Sequence, residues 1–178
     1  MTYKTEGIIL KYIDLGETSR LLTIYTKDFG KILAQAKGVK KSSSRLAGHL
    51  EPLTYSKLTF AKGRNLDIII DSFTLVNFLA KLPLERRIIS LKLAYLMDQA
   101  VQTNEKDLNL WQLLFFTFSY LAKTNHPLIV SFFRLQLLKI LGFGLELERC
   151  VSCGKPLPRE AKLIIDSGGV VCNKCLDG

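Results

Sequence analysis

The residues best suited to chemistry are four cysteines, which stand in two pairs near the end of the chain. Two residues separate Cys150 from Cys153 and Cys172 from Cys175, and eighteen residues lie between the pairs. This spacing is typical of a zinc site with four thiolate ligands, because each short turn aims two sulfurs at one tetrahedral metal. Gly154 permits the left-handed backbone that such a turn requires. We therefore expect one structural Zn²⁺ ion.

Two other interpretations of the cysteines stay open, namely two disulfide bonds or four buried thiols without a ligand. The residues after Met1 include no apolar segment and no small-residue cleavage site, so we expect no secretory signal and a reducing, cytoplasmic environment. Paired cysteines in such a compartment favour a metal over a disulfide. Four protein ligands leave no position for water, so the metal is expected to support the fold and not to catalyse a reaction.

The basic residues are concentrated in the first third of the chain. The formal net charge is +9, and residues 1–66 hold twelve Lys or Arg against five Asp or Glu. Such an excess favours an anionic partner, either nucleic acid or an acidic protein surface. The hydrophobic content of 48% is ample for a core and argues against a disordered chain.

Short apolar segments joined by turn residues occupy the first eighty positions. Lys27–Gly30 and Lys62–Asn65 have the composition of hairpin connections. Five strands linked in so few residues predict a small closed or nearly closed barrel. The predicted strands cover residues 6–12, 20–26, 31–37, 54–61 and 66–73.

Three segments with helical spacing follow the barrel, and proline stands at two of their starts. In the first of them, an imperfect amphipathic stripe consists of Ile88, Leu91, Tyr95, Met97 and Asp98. The uncharged segment 108–122 is shorter than the roughly twenty residues of a membrane span, so we expect a core helix and no contact with a membrane. The predicted helices cover residues 84–101, 108–123 and 127–141.

These elements predict an α+β protein with three parts. An OB-type barrel at residues 1–80 precedes a helical domain at 81–149 and a zinc-binding module at 150–178. Cys175 lies three residues before Gly178. The module is therefore expected either to form the natural end of the chain or to precede helices that this chain lacks.

The densest basic feature is the segment from Lys37 to Arg45, where three serines and a glycine separate four cations. Lys, Arg, small hydroxyls and backbone N–H groups are common phosphate contacts, although an ordinary solvated loop has the same composition. Basic residues on successive turns of a small barrel could share one face, which favours nucleic-acid binding. The candidate DNA-binding residues are Lys11, Arg20, Lys27, Lys37, Lys40, Lys41, Arg45, Lys62 and Arg64. Potential stacking platforms are Tyr12, Tyr25, Phe29, Tyr55 and Phe60, although aromatic residues in short strands are more often core.

Candidates for catalysis are few. His49 and His126 are each expected to be surface or capping residues. No His-x-Glu accompanies the cysteine pairs, and no phosphate-binding glycine motif occurs in the sequence. A metal-dependent hydrolase would need an open metal site, so the sequence predicts a protein that is not an enzyme.

The order of these segments is similar to that of the bacterial RecO family of recombination mediators. The resemblance is carried by residues 7–52, by 57–70 (KLTFAKGRNLDIII) and by 132–154 (FFRLQLLKILGFGLELERCVSCG), together with the second cysteine pair. It covers nearly the whole chain, and the combination is far more specific than any single piece. Full-length members of the family usually continue for several helices beyond the second cysteine pair.

The resemblance implies a function that composition alone does not give. Family members bind single- and double-stranded DNA, anneal complementary strands, and assist loading of the recombinase RecA together with RecR and the single-strand-binding protein. By position, Lys37, Lys40, Lys41 and Arg45 match the basic loop of the family and Arg20 its basic second strand. Arg134 matches the arginine of the helical motif before the cysteines, where DNA contact and packing are both open. The alternative is an adaptor whose basic groove captures the acidic tail of single-strand-binding protein, with DNA contact secondary.

Overall fold

The structure is a computed structural model that describes residues 1–124, 126–158 and 160–176. The chain divides into two compact units, residues 1–130 and 131–178. The predicted boundaries at residues 80 and 149 stay predictions. The last two residues of the predicted zinc-binding module, 177 and 178, lie outside the described residues.

The first unit begins with a five-stranded barrel, as the sequence predicts. Antiparallel pairing joins β1 to β2, β2 to β3 and β5 to β4. A short parallel pairing joins β3 to β5, and β1 also pairs with β4, so the ring of strands closes. The order β1-β2-β3-β5-β4 is that of an OB-type barrel. The strands are β1 Thr2–Leu15, β2 Ser19–Thr26, β3 Gly30–Ala36, β4 Thr54–Ala61 and β5 Asp67–Asn77.

The barrel interior is filled by apolar side chains from alternate positions of the strands, as a half-buried strand requires. Leu22 and Ile24 of β2, and Leu58 and Phe60 of β4, are all almost completely buried. The long β3–β4 connection contributes as well, because Val39, Leu46 and Leu50 belong to the same core cluster. A loop that is basic and exposed along most of its length is therefore anchored by apolar side chains in the barrel.

The two long helices in the first unit start at the residues that the sequence predicts and end one and two residues earlier, and a short helix that was not predicted precedes them. A one-turn helix, α1 Phe78–Lys81, precedes α2 Leu84–Ala100 and α3 Leu108–Leu121. Asp107 caps α3, because its carboxylate accepts the backbone N–H groups of Asn109 and Leu110. Trp111 and Phe115 of α3 contact the ring of Tyr55 on β4, at centroid distances of 5.9 and 5.1 Å.

The amphipathic stripe predicted for α2 is right in part as a packing face. Met97 and Asp98 are buried, as is Leu93 outside the stripe, whereas Ile88, Leu91 and Tyr95 are exposed. Apolar residues occur around most of the helix, so spacing alone did not identify the side that packs.

The second unit contains most of α4 Ile129–Ile140 and a hairpin around the cysteines. Its strands are β6 Ala161–Ile164 and β7 Gly169–Cys172, joined by a 3₁₀ turn and followed by α5 Asn173–Leu176. The two strands pair antiparallel in a sheet of their own. The sequence reading did not include this hairpin, which carries the third cysteine at its end.

Candidate metal centre and nucleic-acid interface

Two short turns bring the four cysteines together. Gly154 has φ +69°, and its backbone N–H donates to the Cys150 carbonyl at 2.8 Å, which closes the first turn. Val151 N–H donates to the Val170 carbonyl at 3.0 Å and joins this turn to β7. The four sulfurs then lie within 4.8 Å of one another. The sequence therefore correctly predicts that all four side chains converge on one point.

The distances between the sulfurs fit a tetrahedral metal better than a disulfide. Cys153 Sγ and Cys172 Sγ are 3.9 Å apart. Tetrahedral thiolates about 2.3 Å from a zinc ion are separated by roughly 3.8 Å, whereas disulfide sulfurs are bonded at about 2.0 Å. All four cysteines are free thiols. The donor set is soft and complete, and these residues could hold a metal ion.

Hydrogen bonds shift the pKa values of two of the thiols in opposite directions. The pKa of Cys150 is lowered to about 6, chiefly because the Cys172 backbone N–H donates to its sulfur, at 3.4 Å. The pKa of Cys175 is raised to about 12, first through its hydrogen bond to Cys172. Four thiolates this close repel one another, so full ionisation requires a cation in the centre.

Three of the nine candidate DNA-binding side chains are engaged within the protein. Lys11 Nζ lies 2.6 Å from Asp98 Oδ2. Arg20 stacks over Tyr12 at 3.8 Å and forms ion pairs with Asp14 and Glu51. Arg20 therefore has little free charge to offer a phosphate. Lys11 shares the single negative charge of Asp98 with Lys31, so it is only partly neutralised.

Lys40 forms an ion pair with Asp14, with Nζ 2.9 Å from Oδ2. The other six candidates are exposed, and their side chains have no ion-pair partner within the described ranges. Three of these six lie on the β3–β4 loop, two on the β4–β5 turn and one on the β2–β3 turn. They are Lys37, Lys41 and Arg45, then Lys62 and Arg64, and finally Lys27.

The basic loop from Lys37 to Arg45 is held at its start and close to its end. Lys40 N–H donates to the Thr18 carbonyl at 3.0 Å, and Gly38 N–H donates to Ser19 Oγ at 3.3 Å. Leu46, just beyond the segment, is buried in the barrel. The free cations of the loop are therefore carried by a fixed backbone, which lowers the entropy lost on binding.

Sequence reasoning missed one ionic cluster entirely. Lys31 is buried, and its ammonium group donates to the Asp98 backbone carbonyl at 2.6 Å, while Asp98 also binds Lys11. Burial raises the pKa of Asp98, but the hydrogen bond and charge of Lys11, with Lys31 nearby, outweigh this effect and lower it. The cluster joins β1 and β3 to α2, and no local signal in the sequence pairs residues so far apart.

Most of the aromatic residues considered as stacking platforms are part of the core. Tyr25 and Phe60 are buried, and Tyr12 and Tyr55 are half-buried, whereas Phe29 is 42% exposed. His49 and His126 are exposed, as expected. His126 Nδ1 accepts the Leu128 N–H at 3.3 Å, as a capping residue does. Arg134 is exposed on α4.

Comparison with known proteins identifies the family. A family model described as "Recombination protein O N terminal" matches residues 1–87, and one described as "Recombination protein O C terminal" matches residues 84–178. The chain belongs to the RecO family. Membership gives it a role in DNA repair and recombination.

Individual relatives agree with this assignment. A "DNA repair protein RecO" of Dehalococcoides mccartyi is 35% identical over 97% of this chain and 70% of its own length. The protein of the same name in Clostridium perfringens is 35% identical over 95% of this chain and 70% of its own length. That of Bifidobacterium longum is 33% identical over 96% and 72%. The resemblance read from the sequence is therefore confirmed.

The helices are also informative about membrane spanning, through their length and hydropathy. Within residues 1–124, 126–158 and 160–176, no helix is both long and apolar enough to cross a membrane.

Proposed function

We propose that this chain is a recombination mediator that binds single- and double-stranded DNA without reading its sequence and anneals complementary strands. It would act in the cytoplasm, at the nucleoid, with RecR and single-strand-binding protein to assist the loading of RecA. The observation that carries the proposal is the fixed loop whose cations Lys37, Lys41 and Arg45 are exposed and have no ion-pair partner among the described residues.

The proposed mechanism is neutralisation of charge. Phosphate contacts from Lys and Arg hold a strand without regard to its bases and release the counterions that surround it. Two strands whose charges are reduced in this way repel each other less and can pair. This work needs no nucleophile and no general base, so we propose that the protein is not an enzyme.

We further propose that the metal is Zn²⁺ and that Cys150, Cys153, Cys172 and Cys175 hold it. When bound, it would supply a structural cross-link, because a closed set of four thiolates leaves no open coordination position. Cys150 and Cys172 belong to the small core of the second unit and Cys175 packs against it, so the ion would replace apolar packing that the module lacks.

Salt dependence tests the proposed DNA contact. Removing three contacts by changing Lys37, Lys41 and Arg45 to Ala should flatten the log–log slope of single-strand affinity against salt by roughly 2, at about 0.7 per contact. It should also slow annealing. Lys40→Ala is the matched control, because its cation is already paired with Asp14 and should contribute less. An unchanged slope in the triple variant would exclude the loop as the DNA contact.

A second candidate function is favoured by the same free cations, because they serve carboxylates as well as phosphates. In that case the chain is an adaptor that captures the acidic tail of single-strand-binding protein. A pull-down of single-strand-binding protein with and without its tail distinguishes the two functions. Capture that needs the tail, combined with weak DNA binding by the chain alone, would favour the adaptor.

A further inference from the structure

A groove of about 580 Å³ lies on the barrel, between the β4–β5 turn and the outer side of β3. Its volume falls in the range of roughly 300–1,000 Å³ that is usual for ligand clefts. All its lining residues belong to the first unit. They include an aromatic and apolar floor, formed by Tyr3, Phe29, Leu33 and Leu66, and a polar rim, formed by Lys62, Arg64, Asn65 and Asn104.

The walls of this groove are fixed by close backbone contacts. A Cβ at Gly63 would collide with the Leu66 carbonyl, so the β4–β5 turn can be this tight only with glycine. A Cβ at Gly30 would likewise collide with the Glu105 carbonyl across the groove from that turn. Asn104 N–H donates to the Lys31 carbonyl at 2.7 Å and fixes the α2–α3 connection on β3. The groove is therefore formed before any ligand arrives, which lowers the cost of binding.

The floor offers an aromatic surface to a ligand. The rings of Tyr3 and Phe60 stack at a centroid distance of 5.0 Å, and Phe29 meets Tyr3 edge-on at 4.8 Å. Phe60 is buried, whereas Phe29 is 42% exposed. Of the five aromatic residues that the sequence offered as stacking platforms, Phe29 is the one that is exposed, and it lies in a groove.

The charges are arranged with cations at the rim and an anion on the floor. The carboxylate of Asp67 accepts the Tyr3 hydroxyl at 2.5 Å and the Gly63 N–H at 3.2 Å. Lys62 and Arg64 are exposed beside it. A negative ligand group is therefore attracted at the rim and repelled on the floor, so the part of a ligand that enters should carry no negative charge, as is true of a nucleobase.

The side-chain amides at the rim add hydrogen-bonding capacity. Asn65 and Asn104 are exposed, and neither side chain has a hydrogen-bond partner in the part of the chain that the structure describes. An amide both donates and accepts, as do the polar edges of nucleobases.

We infer that this groove takes one unstacked base of a single strand, with Phe29 as the stacking surface and the flanking phosphates on Lys62 and Arg64. The inference rests on the proposed function and makes it more specific. The loop with Lys37, Lys41 and Arg45 contacts phosphates and so accepts either form of DNA, whereas the groove accepts a base that has left the helix. Stacking of a base on an aromatic ring tolerates any sequence, as a mediator requires.

The test separates base contacts from phosphate contacts. The full chain is titrated with a single strand of about 12 thymidine nucleotides and with an abasic strand of the same length and charge. We expect the strand with bases to bind roughly five-fold or more tightly. In Phe29→Leu, which stays apolar but loses the ring, the two affinities should become equal. Phe29→Tyr should restore the difference, and the triple loop variant should keep it.

The outcomes distinguish the inference from the proposed function. Equal affinities in the wild-type chain, with binding that still weakens with salt, would overturn the groove alone. Absence of binding to either strand would overturn both. An acidic peptide with an apolar end, tested as a competitor, should not displace the strand with bases more readily than the abasic one. If it does so, and Phe29→Leu removes that effect, the groove is a peptide site and the inference is wrong.

Discussion

The barrel and the hairpin that carries the cysteines reach a stable core by opposite means. Among the described residues, the barrel encloses a cluster of twelve buried residues, all of them apolar, whereas the core of the hairpin has three, two of which are the thiols Cys150 and Cys172. A segment this short cannot bury enough hydrocarbon to fold alone, and structural metals commonly supply what is missing. The difference teaches that two of the hairpin's candidate metal ligands are also part of its core, whereas the barrel has an apolar core and carries several exposed cations on its turns and loops.

Removal of one of the four cysteines should have the largest effect on stability. It tests directly whether the hairpin depends on a metal while the barrel does not. Structural zinc contributes about 10–16 kcal/mol of apparent binding energy in small domains. Cys172→Ser should therefore abolish zinc retention and unfold residues 150–176, while the barrel amides stay protected. Zinc content by mass spectrometry and hydrogen exchange measure the two parts separately. Ser152→Ala, an exposed position between two ligands, is the matched control. Loss of barrel protection would show that the two regions are not independent.

A core substitution in the barrel should destabilise the first unit and leave the cysteine hairpin unchanged. Phe60 is completely buried, so Phe60→Ala should lower the free energy of unfolding of the first unit by about 3–5 kcal/mol. Zinc content should not change. Phe73→Ala makes the same substitution on a ring that is 66% exposed, and it should cost much less. Thermal melts of both variants check the prediction, which fails if the two substitutions cost the same.

The buried cluster around Asp98 should give a smaller effect that depends on pH. Its pKa is lower when folded than when unfolded, so its contribution is complete above the unfolded pKa and disappears as the pH falls through the folded pKa. Asp98→Asn should cost roughly 2 kcal/mol at pH 7 and leave Lys31 without its counter-charge. Denaturant melts from pH 7 to pH 3 should show the two proteins converging. Asp71→Asn, on an exposed carboxylate, should differ little from wild type at any pH.

The smallest effect on stability, and the one most specific for function, concerns two neighbouring lysines. Lys41→Ala removes an exposed cation without an internal partner, and it should leave the melting temperature nearly unchanged while reducing the salt slope of DNA binding by roughly 0.7. Lys40→Ala breaks the ion pair with Asp14, so a cost of about 0.2–1 kcal/mol with a smaller change in slope is expected. If Lys40→Ala reduces the slope as much, the pairing does not withhold its charge from DNA.

Local signals predicted most of the fold, and contacts between distant residues account for what was missed. The strands of the barrel and the three long helices follow from turn residues and apolar runs, and the spacing of the cysteines correctly predicts that the four thiols lie close together. The partners of Lys11 and Lys31 were not predictable, because Asp98 is far away in sequence and its neighbours give no sign of the pairing. For the same reason, composition predicted that Lys40 and Lys41 are equivalent exposed cations, although Lys40 forms an ion pair with Asp14.

The double pairing of β1 has a consequence for how the chain folds as it is made. One half of this strand pairs with β2, which follows it directly, but Thr2 pairs with Ala61 on β4. At synthesis rates of about 5–20 residues per second, the start of β1 waits roughly 3–12 s until Ala61 has been added to the chain. During this time the N-terminal half of β1 is an open edge. The β1–β2 hairpin can form, but the backbone groups of β1 that will pair with β4 have no partner strand. Pairing of β1 with β4 still does not close the ring, because β4 is joined to β3 only through β5, which is synthesised after it. Closure of the barrel therefore waits for β5.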